Sequence, residues 1–471
     1  MGLCGSKGEK YRADSNVVRV NGAAHASATA TDQEGELPIA RVLLVGGASG
    51  GKSVLFRQLV QRYSAAGTGY SPQARSTYTP AIVSNVLLSA KLLLRHSAAL
   101  HDPAHPAMHT RYAEGLEDDA AAVLAAVLPD SDVTAPDSTL PTETAPLSLA
   151  QSLAKLWADP GVQRTYALRG RFALPSSTAY FFGRLDALAL PNFVPSFDDL
   201  LHVHARTVGI VQARLLLPNA VGASSREATV PVQLLDCGGR RPERSSWFHA
   251  FISDSDGEPL PTTVLFVVNL AEYDQPLAEE DPVLQTRSDE HGGVGVPTAA
   301  LPGAGCGGSA EEGLLHPLSA NRLMDSLALF AEVCHSHLLA AHPLPAIAAA
   351  AVPPRSPLPS TALPLPTRFV LVLNQFDLFA SKLSAAASGA PGAPAPLSAL
   401  FPEYDGPATD APAASKFVEA QFRAAARQAG RVDDKTPAMQ MPPIDCVTLT
   451  ATEDGCMDKL LAAIKLMLPK R

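Results

Sequence analysis

Val42-Leu43-Leu44-Val45-Gly46-Gly47-Ala48-Ser49-Gly50-Gly51-Lys52-Ser53-Val54-Leu55-Phe56 reads as a strand, a turn and a helix in immediate succession. An apolar run enters the pattern G-x-x-x-x-G-K-S, and an apolar-periodic segment leaves it, which is the order of a nucleoside-triphosphate site. Glycines let the backbone N–H groups from Gly46 through Gly47, Ala48, Ser49, Gly50, Gly51, Lys52, Ser53 and Val54 turn inward on phosphate oxygens. They do so at a helix N-terminus, whose dipole favours anions. The ammonium of Lys52 then reaches the outer phosphates, and the Ser53 hydroxyl is placed to ligate Mg²⁺.

The bulk properties narrow the class. At 471 residues the chain is long enough for two or three domains. A net charge of −9 gives no support for nucleic-acid binding as the main task. Runs of apolar residues are too short or too charged to predict a transmembrane helix. The start, Met1-Gly2-Leu3-Cys4, lacks the apolar core of a secretory signal. Six cysteines are scattered without a C-x-x-C pair, which argues against zinc and a disulfide framework and fits a reducing compartment.

Outward from the opening motif, buried-type strands are expected at 41–45, 232–235, 264–268 and 369–373, with a weaker one at 444–448. Helical stretches over 321–339 and 416–428 alternate with them, so the fold class is α/β with a mostly parallel sheet. Residues 37–64 and 201–471 form the sheet domain in this reading. Residues 65–200 are too long for a crossover and are read as an inserted helical domain, with helices over 75–99 and 148–158. Residues 1–36 are expected to be a flexible segment. Stretches rich in Ala, Pro, Gly and Ser at 101–147, 282–316, 340–366 and 384–396 are expected to be flexible insertions.

Four further motifs follow in order. Thr207, in Arg206-Thr207-Val208-Gly209-Ile210, offers a second protein oxygen to Mg²⁺ ahead of a strand. Asp236, in Asp236-Cys237-Gly238-Gly239, can hold the ion's water shell, since a hard divalent cation wants oxygens. Gly239 lets a backbone N–H approach the γ-phosphate with no side chain in the way. Asp377, in Asn374-Gln375-Phe376-Asp377, can accept from guanine's two N–H donors, a pair that adenine does not present there. Thr450-Ala451-Thr452 follows the last strand and completes the set.

With these motifs the chain resembles the α subunit of heterotrimeric G proteins. Asp236 to Phe251 looks like that family's switch II, D-V-G-G-Q-R-x-E-R-x-x-W-x-x-x-F. Leu156-Trp157, Asp159, Gly161-Val162-Gln163, Tyr180-Phe181, Leu185-Asp186, Pro191-Asn192 and Pro195 are similar to its helical domain. Tyr273-Asp274 and Leu277-Ala278-Glu279 are similar to the segment after the fourth strand. The resemblance spans about 37–465. It implies a Ras-like P-loop GTPase domain plus an inserted all-helical domain, with GTP and GDP as ligands and Mg²⁺ as cofactor. It also implies nucleotide contacts from Ser177, Leu201 and His202, and guanine contacts from Asn374, Gln375, Asp377 and Ala451.

Gly2 fits an N-myristoylation pattern and Cys4 is placed for palmitoylation, as in the family. The expected location is therefore the cytoplasmic face of the plasma membrane, held by acyl chains. The resemblance implies a βγ dimer, a receptor and a downstream effector as partners. Residues 7–36 show no long amphipathic helix of the kind that docks βγ. The last helix, over 456–468, ends at Pro469-Lys470-Arg471, about two turns short of the tail that receptors read. Both couplings are accordingly expected to be impaired. Trp247, flanked by Arg244 and Phe248, is expected on the effector-facing surface.

The departures concern the chemistry. The family supports hydrolysis with a switch I Arg and a switch II Gln. Counting from Thr207 and Gly239 places His204 and Arg240 at those positions, and a register shift would instead make Arg206 the switch I cation. A neutral His supplies no charge, and Arg has only donors, so it cannot accept from a water as Gln does. The family's two cross-cleft ion pairs are also replaced, by Ser49 with His204 and by Ser176 with Gln375. The expectation is a GTP-binding switch that exchanges quickly and hydrolyses slowly. Two alternatives stand beside it: a GTP-bound scaffold that never hydrolyses, and a P-loop ATPase or kinase, which Asp377 disfavours.

Overall fold

The computed structural model describes residues 17–19, 39–67, 69–129, 149–172, 174–218, 229–247, 262–277, 321–340, 368–389, 393–429, 444–453 and 455–467. The strands are β1 (Val17–Arg19), β2 (Ala40–Val45), β3 (Ile210–Pro218), β4 (Thr229–Cys237), β5 (Thr262–Asn269), β6 (Arg368–Asn374) and β7 (Ile444–Thr448). They form one sheet in the order β1-β3-β4-β2-β5-β6-β7. Only β3 and β4 pair antiparallel; the other neighbours are parallel.

Parallel strands covered on both faces must be apolar at every position, and β2 is buried throughout. Side chains alternate across the pleat, so two cores form. Leu43, Val45, Phe266, Val268, Phe369 and Leu371 face one core; Val42, Leu44, Leu265, Val267, Val370 and Val372 face the other.

The described α-helices run in chain order. They are α1 (Lys52–Tyr63), α2 (Pro72–Ser76), α3 (Thr79–Ala99), α4 (Glu117–Ala125), α5 (Ala150–Ala158), α6 (Pro160–Ala167) and α7 (Thr178–Phe182). After these come α8 (Leu185–Leu188), α9 (Phe197–His202), α10 (Arg322–Ala340), α11 (Phe376–Ala387), α12 (Leu397–Leu400), α13 (Ala411–Ala429) and α14 (Cys456–Met467). Phe330 of α10 and Phe422 of α13 fill the first core, Leu55 of α1 and Leu460 of α14 the second.

Helices α4, α5, α7 and α8 build a separate apolar cluster with α3, with Ile82, Val86, Leu153, Phe181 and Leu185 in it. The helical insertion thus has its own core. Pro72–Ala99 is long and apolar enough by length and composition to cross a membrane, although it carries Arg75, Lys91 and Arg95. Two thirds of its most apolar 18-residue window is buried inside the protein, which is the position of a core helix.

Three expectations need correction. The stretch 101–147 contains α4, whose Ala120 and Val123 lie three apart on one face and are fully buried. Its alanines are helix formers with a partner surface, and the low-complexity composition concealed that. The stretch 384–396 begins inside α11, and Leu397 just beyond it is buried. Val17–Arg19, within the segment expected to be flexible, pairs with Ile210–Gln212. Gly2 and Cys4, the stretch 282–316, and 341–366 lie outside the described residues.

Candidate nucleotide site

The carboxyl ends of β2, β4, β5 and β6 converge on a cavity of about 630 Å³. Its walls carry Gly47 to Val54, Ser177, Leu201, His202, His204, Thr207, Gly239, Arg240, Asn374, Gln375, Asp377 and Ala451. Of the expected site residues among those described, only Gly46 and Asp236 lie just behind the wall. Both touch residues on it, Gly46 through Lys52 and Asp236 through Ser53.

The phosphate loop is held from below. Gly51 sits at φ 98° and starts α1; a Cβ there would strike Asn374 Nδ2. Asn269 Nδ2 donates to the Ser49 carbonyl at 3.3 Å, a prop no motif predicted. Lys52 is buried, and its Nζ donates to the carbonyls of Gly46 (3.0 Å) and Gly47 (2.6 Å). Burial lowers the Lys52 pKa, and the nearby Asp236 carboxylate opposes that shift. A Cβ on Gly239 would meet Lys52 Nζ and the carbonyls of Gly46 and Gly47, so only glycine lets this loop come so close.

The oxygens for a divalent cation are gathered. Ser53 Oγ lies 3.0 Å from Thr207 Oγ1 and donates to Asp236 Oδ2 at 2.6 Å. Asp236 Oδ1 is buried with no hydrogen-bond partner, an acceptor that a metal's water shell would satisfy. Burial raises the Asp236 pKa, with Lys52 and the Ser53 hydroxyl pulling the other way. Two hydroxyls and one carboxylate suit Mg²⁺, which binds few protein oxygens and keeps several waters. Among the described residues no cluster of three His, Cys, Asp or Glu competes as a metal site.

At the other end Asn374 is a staple. Its Nδ2 donates to Gly50 O at 3.0 Å and its Oδ1 accepts from Ala451 N at 2.9 Å, tying the phosphate loop to the loop after β7. Thr450 Oγ1 donates to Asp377 Oδ1 at 3.0 Å, which orients the exposed carboxylate toward the cavity rim. Gln375 adopts φ 57°, a left-handed conformation, and its Oε1 is buried without a partner.

The segment opposite begins at α9, whose N-terminus is fixed by a capping box between Ser196 and Asp199. His202 at its end stacks flat on Tyr180 of α7, with ring centroids 3.7 Å apart. Burial, then the positive charges of Arg57 and Arg322, push the His204 pKa down to about 4. His204 is therefore neutral near pH 7. Arg206 does not take its place: its Nη2 pairs with Glu243 Oε1 at 2.8 Å, while Glu243 Oε2 accepts from Gly209 N. Burial works against the Glu243 charge, but these bonds outweigh it and lower its pKa. Arg240 is exposed at the head of the short 3₁₀ turn Arg241–Ser246. Arg244 pairs with Asp325 of α10 at 2.6 Å.

Trp247 departs from expectation. It is 4% exposed, packs in the first core, and its Nε1 donates to Gly238 O at 2.6 Å. Its place beside Arg244 and Phe248 in the switch II-like stretch suggested a surface; the buried carbonyl that it satisfies explains the burial. Arg57, Asn85 and Asn269 shape the site but belong to no motif quoted above, while Glu243 is the acidic residue of the switch II-like stretch.

A glycine-rich loop with a buried lysine, two hydroxyls gathered on a carboxylate, and an exposed Asp at the cavity rim, set between a parallel sheet and an inserted helical unit, define the class of P-loop proteins. A family model described as "G-protein alpha subunit" matches residues 20–347. A guanine nucleotide-binding protein subunit alpha of Coprinellus congregatus is 25% identical over 366 residues, covering 78% of this chain and 72% of that protein. The alpha-7 subunit of Caenorhabditis elegans is 26% identical over 376 residues, covering 80% and 76%. The alpha-2 subunit of Pisum sativum is 29% identical over 281 residues, covering 60% and 67%. The chain belongs to the G-protein alpha subunit family, with its Ras-like GTPase fold and helical domain. The matched region ends before Asn374 and Thr450.

Proposed function

We propose that this chain is a guanine nucleotide-binding signalling switch that binds GTP and GDP with Mg²⁺ and hydrolyses GTP slowly. Family membership supports the guanine nucleotide and the signalling role. The observation carrying the slow chemistry is His204, which lines the cavity with its pKa pushed down to about 4.

Ser53 and Thr207 would hold Mg²⁺, with Asp236 on its water shell, and the ion would neutralise charge on the phosphates. Lys52 and the backbone N–H groups of the phosphate loop bind the phosphoryl oxygens. Gly239 allows its N–H to face the terminal phosphate. Asp377 and the Ala451 N–H orient the base. Neutral His204 adds no positive charge where it develops, and Arg240 cannot accept a hydrogen bond from an attacking water. Arg240 can instead offer its guanidinium to the phosphates from the exposed turn, recovering part of the lost stabilisation.

Acylation of Gly2 and Cys4 would place the chain at the cytoplasmic face of the plasma membrane. One myristoyl chain binds only marginally, so the second acyl group matters. A βγ dimer, a receptor and an effector are the partner classes that the family implies.

The test is uptake of GTP and GDP by the purified chain in Mg²⁺ buffer, followed by single-turnover hydrolysis. Saturable uptake with phosphate release slow yet faster than in Lys52→Ala supports the reading. Release no faster than in Lys52→Ala, with uptake intact, favours a scaffold that only binds. ATP displacing GTP at equal concentration would overturn the guanine assignment.

A further inference from the structure

Residues 200–204 join the last helix of the helical unit to the loop carrying Thr207, and their backbone is gripped from two sides. Asn85 of α3, 6% exposed, donates from Nδ2 to His204 O at 2.9 Å and accepts on Oδ1 from His204 N at 2.7 Å. One carboxamide thus satisfies both backbone groups of the same residue, as a neighbouring strand would. From the sheet domain Arg57 of α1, 4% exposed, donates from Nη1 to Leu200 O at 2.5 Å and Val203 O at 3.2 Å. Its guanidinium also lies 5.2 Å from the centre of the Tyr78 ring, at the start of α3.

The cavity takes one wall from the phosphate loop and the other from Ser177 and Tyr180 of the helical unit. A molecule enclosed there leaves only when the walls part. The positions of the family's cross-cleft ion pairs hold Ser49 with His204 and Ser176 with Gln375, none of which can make such a pair near pH 7. The contacts from Asn85 and Arg57 are made over the same joint.

We propose that Asn85 and Arg57 are positioning residues that brace the 200–204 segment, hold the helical unit closed and set how slowly nucleotide leaves. This rests on the reading that the cavity holds a guanine nucleotide. When the walls part, the His204 N–H and C=O meet water; while they stay closed, Asn85 is their partner. A side chain branched alike but without the carboxamide leaves both groups buried and unpaired only in the closed form. That shifts the balance toward opening and leaves the phosphate contacts intact.

The experiment uses the full chain loaded with a fluorescent GDP analogue and chased with excess GDP. Asn85→Leu keeps the branched shape and the number of heavy atoms and deletes both bonds, so release should quicken by about tenfold or more. Asn85→Asp keeps the acceptor for His204 N–H and places a carboxylate against His204 O, which should also quicken release. Arg57→Met should act the same way, and the double variant should show less than the product of the two effects, because both act on one segment. A merely structural loss would weaken thermal stability and slow association. The brace predicts faster dissociation with association unchanged.

Amide exchange over residues 200–206 supplies a readout that needs no nucleotide, and it should quicken in each variant. Wild-type dissociation and wild-type exchange in folded Asn85→Leu and Asn85→Asp would overturn the brace. Absence of GDP uptake by the wild-type chain would overturn the nucleotide reading instead, with the exchange experiment still judging the brace. Should Asn85→Leu not fold, Asn85→Asp and Arg57→Met carry the test.

Discussion

Replacing His204 with Arg and Arg240 with Gln together should greatly raise the rate of the GTP hydrolysis proposed for this chain. At a pKa of about 4, roughly one His204 in 10³ is protonated at pH 7, so it contributes essentially no charge to the site. A switch cation in this chemistry is worth about 10³–10⁵ in rate, or roughly 4–7 kcal/mol. The full amount is not expected, because the burial and the charges of Arg57 and Arg322 that depress His204 would also act on a guanidinium placed there.

Single His204→Arg should therefore gain about 10²–10³, at or below the lower limit of that range. Arg240→Gln gives up the Arg240 charge at the cavity mouth, which the new Arg at 204 replaces, and restores an acceptor for water, so the double variant should exceed either single one. The assay is single-turnover release of labelled phosphate from GTP in Mg²⁺, with GTP affinity measured in parallel. A double variant that binds GTP normally and hydrolyses it at the wild-type rate would refute the assignment of both positions.

Asn374→Ala should strip Gly50 O and Ala451 N of their buried partner, at about 1–3 kcal/mol each, and weaken GTP and GDP alike by tenfold or more. Equilibrium titration checks it, and a loss confined to one nucleotide would contradict the staple. Trp247→Phe should leave Gly238 O unpaired and lower stability by about 1–3 kcal/mol, seen as a lower urea midpoint. Trp247 should also resist acrylamide quenching, and full quenching would show that it is not buried.

Acid stability should depend on His204. Its folded pKa of about 4 lies below the unfolded 6.5, so between these values the unfolded chain takes the extra proton. His204 thus places no penalty on the fold above pH 6.5 and destabilises it progressively below, by up to about 3 kcal/mol near pH 4. Comparing urea midpoints of wild type and His204→Asn at pH 7 and 5 isolates the effect. An equal fall in both would contradict it.

The parts of this protein that were legible in the chain are those whose physics is local. Phosphate binding needs adjacent backbone amides, so 46–54 announces itself. A strand buried on both faces must be apolar along its length, so β2, β5 and β6 stand out from solvent-facing chain. Strand β3, with an exposed residue and intermediate positions among its buried ones, was visible only through the motif before it. Helix α4 was hidden because alanine-rich sequence reads alike in a linker and in a helix that has something to pack against.

What only the tertiary structure decided are contacts between residues far apart in the chain: Arg206 with Glu243 over 37 positions, Asn85 with His204 over 119, and Arg57 with Val203 over 146. No pattern along the chain marks such pairs, because hydrogen bonding and desolvation depend on distance in space. The same reason separates what His204 is from what it does. Its place in the motif came from counting residues. Its loss of charge comes from the walls and arginines that folding brings around it.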